Sequence, residues 1–232
     1  MRIDGANVLV AGATGVLGGG LAGRLAGEGA NVALAGRDSG QLQRLGSELS
    51  APTARLDLLE PSTVPACVDA MAAALGGLDA IVIATGVVAF GAEPELDEAM
   101  LQELFTVNAL GPISLIRAAL AHLEPGGSVV ALSAVVAEHP TAGMAVYSAS
   151  KAALSAYLTA LRRERRREGL VVIDVRPSHL DTGFESRARA GTPPPLPVGA
   201  DHHEVIEAIL DAMREDRREL AFDLRTRALV AR

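Results

Sequence analysis

The stretch NVLVAGATGVLGGGLAGRLAGEGANVALAGRD, Asn7 to Asp38, holds an apolar run, a glycine-rich turn, a segment rich in alanine and leucine, and a second apolar run. This order predicts strand, turn, helix and strand, which is the setting of a dinucleotide fingerprint. Gly12, Gly15 and Gly18 would let the turn tighten, let the backbone approach a phosphate and let the helix pack on the strand. We therefore predict a cofactor turn that also contains Thr14, although close helix packing alone would explain the glycines too.

Further apolar runs of strand length follow, and segments with apolar residues at helical spacing separate them. Strands that alternate with helices predict crossover units and a parallel sheet covered on both faces, so we expect an α/β fold. The predicted strands are Asn7 to Ala11, Asn31 to Ala35, Thr53 to Leu56, Ala80 to Ala84, Ser128 to Leu132, Val171 to Val175 and a short Glu219 to Asp223. The later predicted helices are Leu42 to Leu49, Leu96 to Leu123, Ser148 to Arg167 and His202 to Arg214.

Composition narrows the range of partners. The 232 residues carry 21 Lys and Arg against 28 Asp and Glu, and the net charge of −7 argues against a nucleic acid or an anionic membrane as the main partner. The run RRERRRE, Arg162 to Glu168, is better explained as the end of a helix, where cations offset the helix dipole.

Cys67 is the single cysteine, so the chain cannot form an internal disulfide. The N-terminus does not resemble a signal peptide, and the longest uncharged run, Val8 to Gly23, is too short and glycine-rich to span a bilayer, so we expect a cytoplasmic protein.

The end of the second predicted strand bears on cofactor choice. It reads Ala35, Gly36, Arg37, Asp38. A carboxylate at this place would bond the ribose 2′-hydroxyl of NAD, whereas an arginine can pair with the 2′-phosphate of NADP. The small residues leave room and Arg37 supplies positive charge, so NADP is favoured, with a solvated loop arginine as the alternative.

The stretch YSASK, Tyr147 to Lys151, places a phenol and an ammonium four residues apart. On a helix these side chains share a face. A free phenol has a pKa near ~10 and is a poor proton donor and acceptor at neutral pH, but a neighbouring ammonium favours the phenolate. The pair therefore predicts acid–base chemistry, and a solvated helix pair is the structural alternative.

Taken together, the glycine turn, TVNALGP around Asn108, SVVALS, YSASK and RPSHLDTG occur in an order that resembles the short-chain dehydrogenase/reductase family over nearly the whole chain. The resemblance implies one doubly wound, Rossmann-type NAD(P)-binding domain over residues 1–232, with about seven mostly parallel strands. It also implies a small-molecule substrate and a homodimer or homotetramer. The region 184–200, which includes TPPPLPV, would be a loop over the substrate.

The resemblance also implies roles for single residues. Tyr147 would be the general acid in carbonyl reduction and the base in reverse. Lys151 would bond the nicotinamide ribose and lower the pKa of the tyrosine. Asn108 would hold a water that relays protons, unless it only bonds backbone at a helix kink. Asp57 would contact adenine, unless it is a helix cap. Further cofactor contacts would come from Gly86, Pro177, Leu180 and Thr182, and no metal is expected.

The chain departs from the family pattern at four places. The glycine spacing GxxGxxG is more usual in longer members, Asn-Ala-Gly appears as Ala84-Thr85-Gly86, and Ser178 stands where Gly is common. The serine that normally bonds the substrate oxygen would fall at Ala134. Its neighbour Ser133 could substitute only if the backbone bulges, because adjacent residues of a strand point to opposite faces.

The function that follows is an NADP(H)-dependent oxidoreductase that interconverts a carbonyl and an alcohol, with Tyr147, Lys151, Asn108 and Ser133 at its centre. A catalytically weak or inactive NADP(H)-binding sensor or scaffold is the alternative, motivated by Ala134. An epimerase or dehydratase is a third possibility, supported by the glycine spacing alone. His139 and His179 would border the substrate space, where loop histidines usually face solvent.

Overall fold

Eight strands form one sheet in the computed structural model, which describes residues 1–232. Their order is β3-β2-β1-β4-β5-β6-β7-β8; the first seven run parallel and β8 runs antiparallel to β7. The strands are β1 (Asn7–Ala11), β2 (Asn31–Gly36), β3 (Thr53–Arg55), β4 (Leu78–Ile83), β5 (Leu123–Leu132), β6 (Val171–Arg176), β7 (Glu219–Asp223) and β8 (Ala228–Ala231).

Seven α-helices cover both faces of this sheet. A π-helical turn, Thr106–Leu110, joins α4 to α5 without a break in the chain's helical path. The helices are α1 (Val16–Gly27), α2 (Ser39–Leu49), α3 (Val64–Leu75), α4 (Glu98–Phe105), α5 (Gly111–Ala119), α6 (Ala145–Glu164) and α7 (His202–Arg214).

Each central strand contributes to two hydrophobic cores. Leu9 and Val10 are adjacent on β1 and both fully buried, yet Leu9 packs with Leu115 of α5 and Leu154 of α6, whereas Val10 packs with the helices of the other face. Successive side chains of a strand point to opposite sides. A parallel strand covered on both sides is therefore apolar throughout, which is why these strands read as continuous apolar runs.

The predicted fold is confirmed, and one strand was missed. The sheet has eight strands rather than about seven, because Ala228–Ala231 pairs antiparallel with β7. Four apolar residues between arginines carry no strand pattern of their own, and only the pairing with β7 makes them a strand. The predicted helix Leu96 to Leu123 is divided by the π-helical turn, and α3 was not predicted.

One continuous helical segment, Glu98–Ala119, is long and apolar enough by composition to cross a membrane. Its most apolar window has a mean hydropathy of 1.3, and 44% of that window is buried inside the domain. The buried part packs against the sheet, as Leu104, Leu115 and Ile116 show by their complete burial. A helix of the protein core has the same composition, so this segment is weak support for a membrane span.

The strand order positions the site. Chain connections from β1 lead to β2 on one side of the sheet, and β4 lies on the other side of β1. At such a reversal the loops at the carboxyl ends of the two strands diverge and leave a crevice. The loops after β1 and β4, residues 12–15 and 84–97, border this crevice.

Candidate active site

A cavity of about 790 Å³ lies along the carboxyl ends of the strands. It extends from the glycine turn after β1 to α6 and to the segment after β6. Its size is that of a site that encloses a cofactor or a drug-sized ligand. Predicted site residues in its wall are Gly12, Thr14, Gly15, Arg37, Asp57, Gly86, Ser133, Tyr147, Lys151, Pro177, Leu180 and Thr182.

The glycine turn is packed too closely for side chains. Gly12 has a φ of +88°, and a Cβ on it would lie 2.8 Å from the carbonyl carbon of Ala84. A Cβ on Gly18 would lie 2.2 Å from the carbonyl oxygen of Gly12. Gly15 directly precedes α1, so the turn leads the chain to the helix N-terminus with bare backbone facing the cavity. Backbone N–H groups at such a place bind phosphate.

Arg37 and Asp38 differ in the bonds that their side chains form within the protein. The carboxylate of Asp38 accepts a hydrogen bond from the backbone N–H of Gln41 at 2.9 Å and so caps α2. Arg37 is exposed at the cavity wall and forms no ion pair or side-chain hydrogen bond. A Cβ on Gly36 would lie 3.0 Å from the hydroxyl of Thr14, which explains the small residue there. The arginine therefore remains available to an anionic group, while the aspartate is engaged.

Tyr147 and Lys151 lie one turn apart on α6, and both are buried in the cavity wall. The Lys151 ammonium donates a hydrogen bond to the carbonyl oxygen of Leu132, at the end of β5, at 2.9 Å. Burial lowers the pKa of Lys151 to about 8, against a smaller raising effect of Asp174. Burial also raises the pKa of the Tyr147 phenol. Burial thus sets the direction of the Tyr147 shift in this structure, and the expectation that Lys151 lowers this pKa stays a prediction.

Asn108 is fully buried in the π-helical turn. Its side-chain amide accepts from the backbone N–H of Val87 and donates to the carbonyl of the same residue, both at 2.9 Å. It also donates to Ser150, whose hydroxyl donates to the carbonyl of Tyr147. The structure thus gives Asn108 the backbone-bonding role of the alternative interpretation, and it links the segment after β4 to the first turns of α6.

The hydroxyl of Ser133 donates its proton within the protein and not into the cavity. The hydroxyl donates to the carboxylate of Asp174 on β6 at 2.5 Å, and Val175 offers a second, more distant carbonyl acceptor. A serine has one proton to donate, so this one is committed. The sequence left open whether Ser133 replaces the missing donor, and this engagement with Asp174 speaks against that role. Ala134 follows it in the cavity wall in extended backbone and offers no hydroxyl.

The remaining predicted cofactor residues come together at the same cavity. Asp57 lies beyond the end of β3, and its carboxylate accepts from the backbone N–H of Leu59 at 3.1 Å in a tight turn. A Cβ on Gly86 would lie 3.3 Å from the Lys151 nitrogen and 3.4 Å from the Asn108 oxygen, so the bare backbone admits both groups. The carbonyl of Pro177 accepts from the backbone N–H of Val135 at 2.9 Å.

The segment 184–200 covers the cavity and is tied down at both ends. The backbone N–H of Arg189 donates to Val88 at 2.8 Å, and that of Phe90 donates to Ala190 at 3.0 Å. At the other end Ala200 donates to His179 at 2.9 Å. Phe222, on β7, and Leu224, in the turn that follows this strand, also line the cavity. The sequence predicted the strand of Phe222 but not its place at the cavity, because the hairpin with β8 was not recognised.

A nicotinamide dinucleotide fits the residues present. The turn without side chains at Gly12, the unpaired Arg37 and the lysine of α6 line one continuous cavity. The buried hydroxyl of Thr85, in the same wall, has no hydrogen-bond partner within the protein. A ligand with phosphates and ribose hydroxyls supplies acceptors and donors for such groups.

Possible metal ligands occur elsewhere. Atoms of Asp201, His202 and His203 lie within 4.8 Å of one another at the N-terminus of α7. They are outside the wall of the cavity, and the positive end of a helix dipole disfavours a cation there. The prediction that the site uses no metal stays a prediction.

Known proteins share this architecture. Residues 6–192 match the family model described as short chain dehydrogenase. A crystal structure of a short-chain dehydrogenase from Burkholderia cenocepacia J2315 in complex with NADP is 28% identical, with a TM-score of 0.81 and 91% of each chain covered. A short-chain dehydrogenase from Streptomyces avermitilis is 26% identical, with a TM-score of 0.85, over 97% of this chain and 90% of that one.

Among curated relatives, a glycine betaine reductase from Emericella nidulans is 33% identical over 92% of this chain. The match spans only 18% of the length of that reductase. The family model covers well over half of the present chain, and the matched range includes the glycine turn and the Tyr147–Lys151 pair in the wall of the cavity. The chain belongs to the short-chain dehydrogenase/reductase family and is a nicotinamide-cofactor-dependent oxidoreductase of that family.

Proposed function

We propose that this oxidoreductase interconverts a carbonyl and an alcohol with NADP(H), and that Tyr147 transfers the proton at the substrate oxygen. The observation that carries the proposal is the placement of Tyr147 and Lys151 on successive turns of α6, in the wall of the cavity that also contains the glycine turn. A bound NADPH would supply the hydride to the carbonyl carbon. The chain supplies position, charge and the proton.

The protonation states of the two side chains support the direction of proton flow. Burial raises the pKa of Tyr147, so the phenol stays neutral at physiological pH and carries a proton for the oxygen of a carbonyl. The pKa of Lys151 is about 8, so most of the lysine is an ammonium at neutral pH. The positive charge beside the phenol stabilises the phenolate that remains once the proton has left.

The preference for NADP rests on Arg37. Its guanidinium is exposed at the cavity, has no acidic partner, and follows the end of β2, where the adenosine ribose of such cofactors binds. Asp38, which would favour NAD, has its carboxylate engaged at the start of α2. A guanidinium pairs with a phosphate through two parallel hydrogen bonds.

The substrate is a small apolar carbonyl compound or its alcohol. Val87, Phe90 and Met144 line the inner wall, and Phe184 extends it from the covering segment. Water-excluding walls of this kind bind apolar groups and strengthen the polar contacts within the site.

A second candidate is an NADP(H)-binding sensor or scaffold with little turnover. It is favoured by the absence of a hydroxyl at Ala134 and by the engagement of Ser133 with Asp174. Removal of one donor to the reacting oxygen costs about 100-fold to 1,000-fold in kcat in other enzymes. Such a loss slows an enzyme without abolishing its chemistry, so the oxidoreductase remains the first candidate.

The test is a panel of ketones and aldehydes, with NADPH oxidation followed at 340 nm and NADPH binding followed by its fluorescence. We expect turnover of at least one apolar carbonyl compound. Tyr147→Phe should retain NADPH binding and lose most of that turnover. Tyr157→Phe is the matched control, because Tyr157 is the other tyrosine and lies outside the cavity wall.

The two candidates predict different results. Binding of NADPH without oxidation across the whole panel supports the sensor and contradicts the enzyme. Wild-type turnover in Tyr147→Phe contradicts the role of the phenol as proton donor, whatever the substrate.

A further inference from the structure

A chain of paired charges, buried at Asp174 and Arg176, lies beside the cavity wall. Asp174 is completely buried on β6, and Arg176, two residues on, is buried beside it. The Arg176 guanidinium pairs with Asp174 and, through its other nitrogen, with Glu219 at 2.6 Å. The side chain of Glu219 also pairs with Arg162 of α6 at 2.8 Å. Buried ions persist when they are paired in this way, and loss of one partner leaves the other uncompensated.

One carboxylate of this chain of charges reaches the proposed site. Asp174 accepts the hydroxyl proton of Ser133, at the end of β5, on one oxygen. Its other oxygen accepts from Ser155 of α6 at 2.6 Å. Lys151 lies on α6 one turn before Ser155 and donates to Leu132, the residue before Ser133. Asp174 and Lys151 therefore both connect the end of β5 to α6.

We propose that Asp174 is a positioning residue of this site, whose buried carboxylate ties the end of β5 to α6 and so sets the place of the Lys151 ammonium and stabilises its positive charge. The proposal rests on the proposed function only where it concerns turnover. The effect of Asp174 on the position and charge of Lys151 can be measured on the protein without substrate.

The charges around Lys151 single out Asp174. Burial of Lys151 disfavours its ammonium, and Asp174 is the charged group that opposes this effect by raising the pKa. Arg176 is already paired with Asp174, and the phenol of Tyr147 is neutral over the pH range concerned. The titratable groups on the elements packed against α6 are Asp174 and Arg176 on β6, Glu219 on β7, Glu138 and His139 after β5, Glu98 and Glu103 on α4, Arg117 on α5, and Arg166, Arg167 and Glu168 after α6.

The composition of the chain makes the experiment direct. Lys151 is the only lysine in the sequence, so protein labelled with ¹³C,¹⁵N-lysine gives one side-chain signal that needs no assignment. We expect Asp174→Asn to lower the pKa of Lys151, measured from the Cε shift against pH, by about half a unit to one unit. An unchanged pKa overturns the proposal.

Glu219→Gln is the matched control, because it removes a carboxylate from Arg176 but touches neither Ser133 nor Ser155. It should destabilise the protein and leave the pKa of Lys151 in place. An equal shift in both variants overturns the proposal, because it would mean that any break in the chain of charges acts on the lysine.

A second variant covers the case in which Asp174→Asn does not fold. The double variant Ser133→Ala, Ser155→Ala removes both serine hydrogen bonds to Asp174 and keeps every charge. Reductive methylation of Lys151 by formaldehyde and a borane, followed by peptide mass spectrometry, should then be roughly tenfold faster than in the wild type, because the two hydrogen bonds that tie the end of β5 and α6 to Asp174 are gone. A wild-type rate contradicts the tie.

Turnover provides an independent readout. Where the carbonyl panel gives a substrate, the alkaline limb of kcat/KM should move to lower pH in Asp174→Asn by the same amount as the lysine pKa, since loss of the negative charge lets the ammonium deprotonate earlier. If the pKa of Lys151 shifts in Asp174→Asn but the protein turns over no substrate, the positioning role of Asp174 is supported and the proposed function is contradicted. If the protein turns over a substrate but the pKa of Lys151 does not shift, the proposed function is supported and the positioning role is contradicted.

Discussion

The ammonium of Lys151 donates a hydrogen bond to the carbonyl oxygen of Leu132, 2.9 Å away, inside the cavity wall. This contact joins α6 to the carboxyl end of β5. The residue after Leu132 is held by Asp174, and the residue two further on donates its backbone N–H to Pro177. The wall beside the proposed reaction centre is therefore fixed at three of four successive positions, and its lysine is held by backbone as well as by charge.

Burial of Lys151 predicts a pH-dependent stability. The pKa of this lysine is about 8 in the folded protein, against an ordinary value of 10.5 in an unfolded chain. Between these values the unfolded state binds more protons, so the free energy of unfolding rises with pH in this window. We expect wild type to gain on the order of 1–2 kcal/mol over Lys151→Met between pH 7.5 and about 9.5, measured by urea unfolding.

The comparison with Lys151→Met is needed because two other buried groups act in the opposite direction. Burial raises the pKa of Cys67 to about 11 and also raises that of Tyr147. Both groups therefore lower the free energy of unfolding as the pH rises, because they deprotonate earlier in the unfolded chain than in the folded protein. These contributions are common to the two proteins and cancel in the difference. A difference that stays flat with pH contradicts the buried position of the lysine.

Ala134→Ser tests the missing hydroxyl. Ala134 lies in the cavity wall and Ser133 is engaged with Asp174, so a new hydroxyl would add a donor to the substrate oxygen. We expect kcat/KM for a substrate from the carbonyl panel to rise roughly tenfold or more. Ala137→Ser, outside the cavity wall, should change it little. No gain in Ala134→Ser means that another group already fills this role.

Arg37→Ala tests cofactor choice. Loss of the unpaired guanidinium removes a phosphate partner, so the Kd for NADPH should rise about tenfold while that for NADH changes little. The fluorescence of the bound nucleotide measures both without interference from tryptophan, which the chain lacks. Arg44→Ala removes the same charge from an exposed position of α2 that is outside the cavity and serves as control. Equal losses for NADPH and NADH would reject the NADP preference.

Gly18→Ala tests the packing of the glycine turn. The added methyl would lie 2.2 Å from the carbonyl oxygen of Gly12, so the turn must open and the free energy of unfolding should fall by about 1–3 kcal/mol, with weaker NADPH binding. Gly23→Ala on the same helix meets nothing within 4 Å and should stabilise the protein by about 0.5–1 kcal/mol. Effects of the same sign at both positions would contradict the close contact.

Much of the architecture was predictable because it depends on local patterns. Apolar runs separated by helical segments predicted seven of the eight strands, and β1 and β7 were predicted with their observed bounds. The fingerprint turn and the Tyr147–Lys151 pair were recognisable because their chemistry needs residues at fixed spacing along one turn or one helix. The π-helical turn at Asn108 and the strand β8 depend on contacts with other elements and gave no such pattern.

The sequence by itself determined seven of the eight strands with most of the helices between them, the position of the glycine turn and the alanine at position 134, since each is read from neighbours along the chain. Tertiary structure alone decided that Ser133 donates to Asp174, that Asn108 bonds the backbone of Val87, and that Tyr147 and Lys151 have their pKa values set mainly by burial. Hydrogen-bond partners and desolvation depend on which distant segments meet in space. Spacing along the chain does not contain that information.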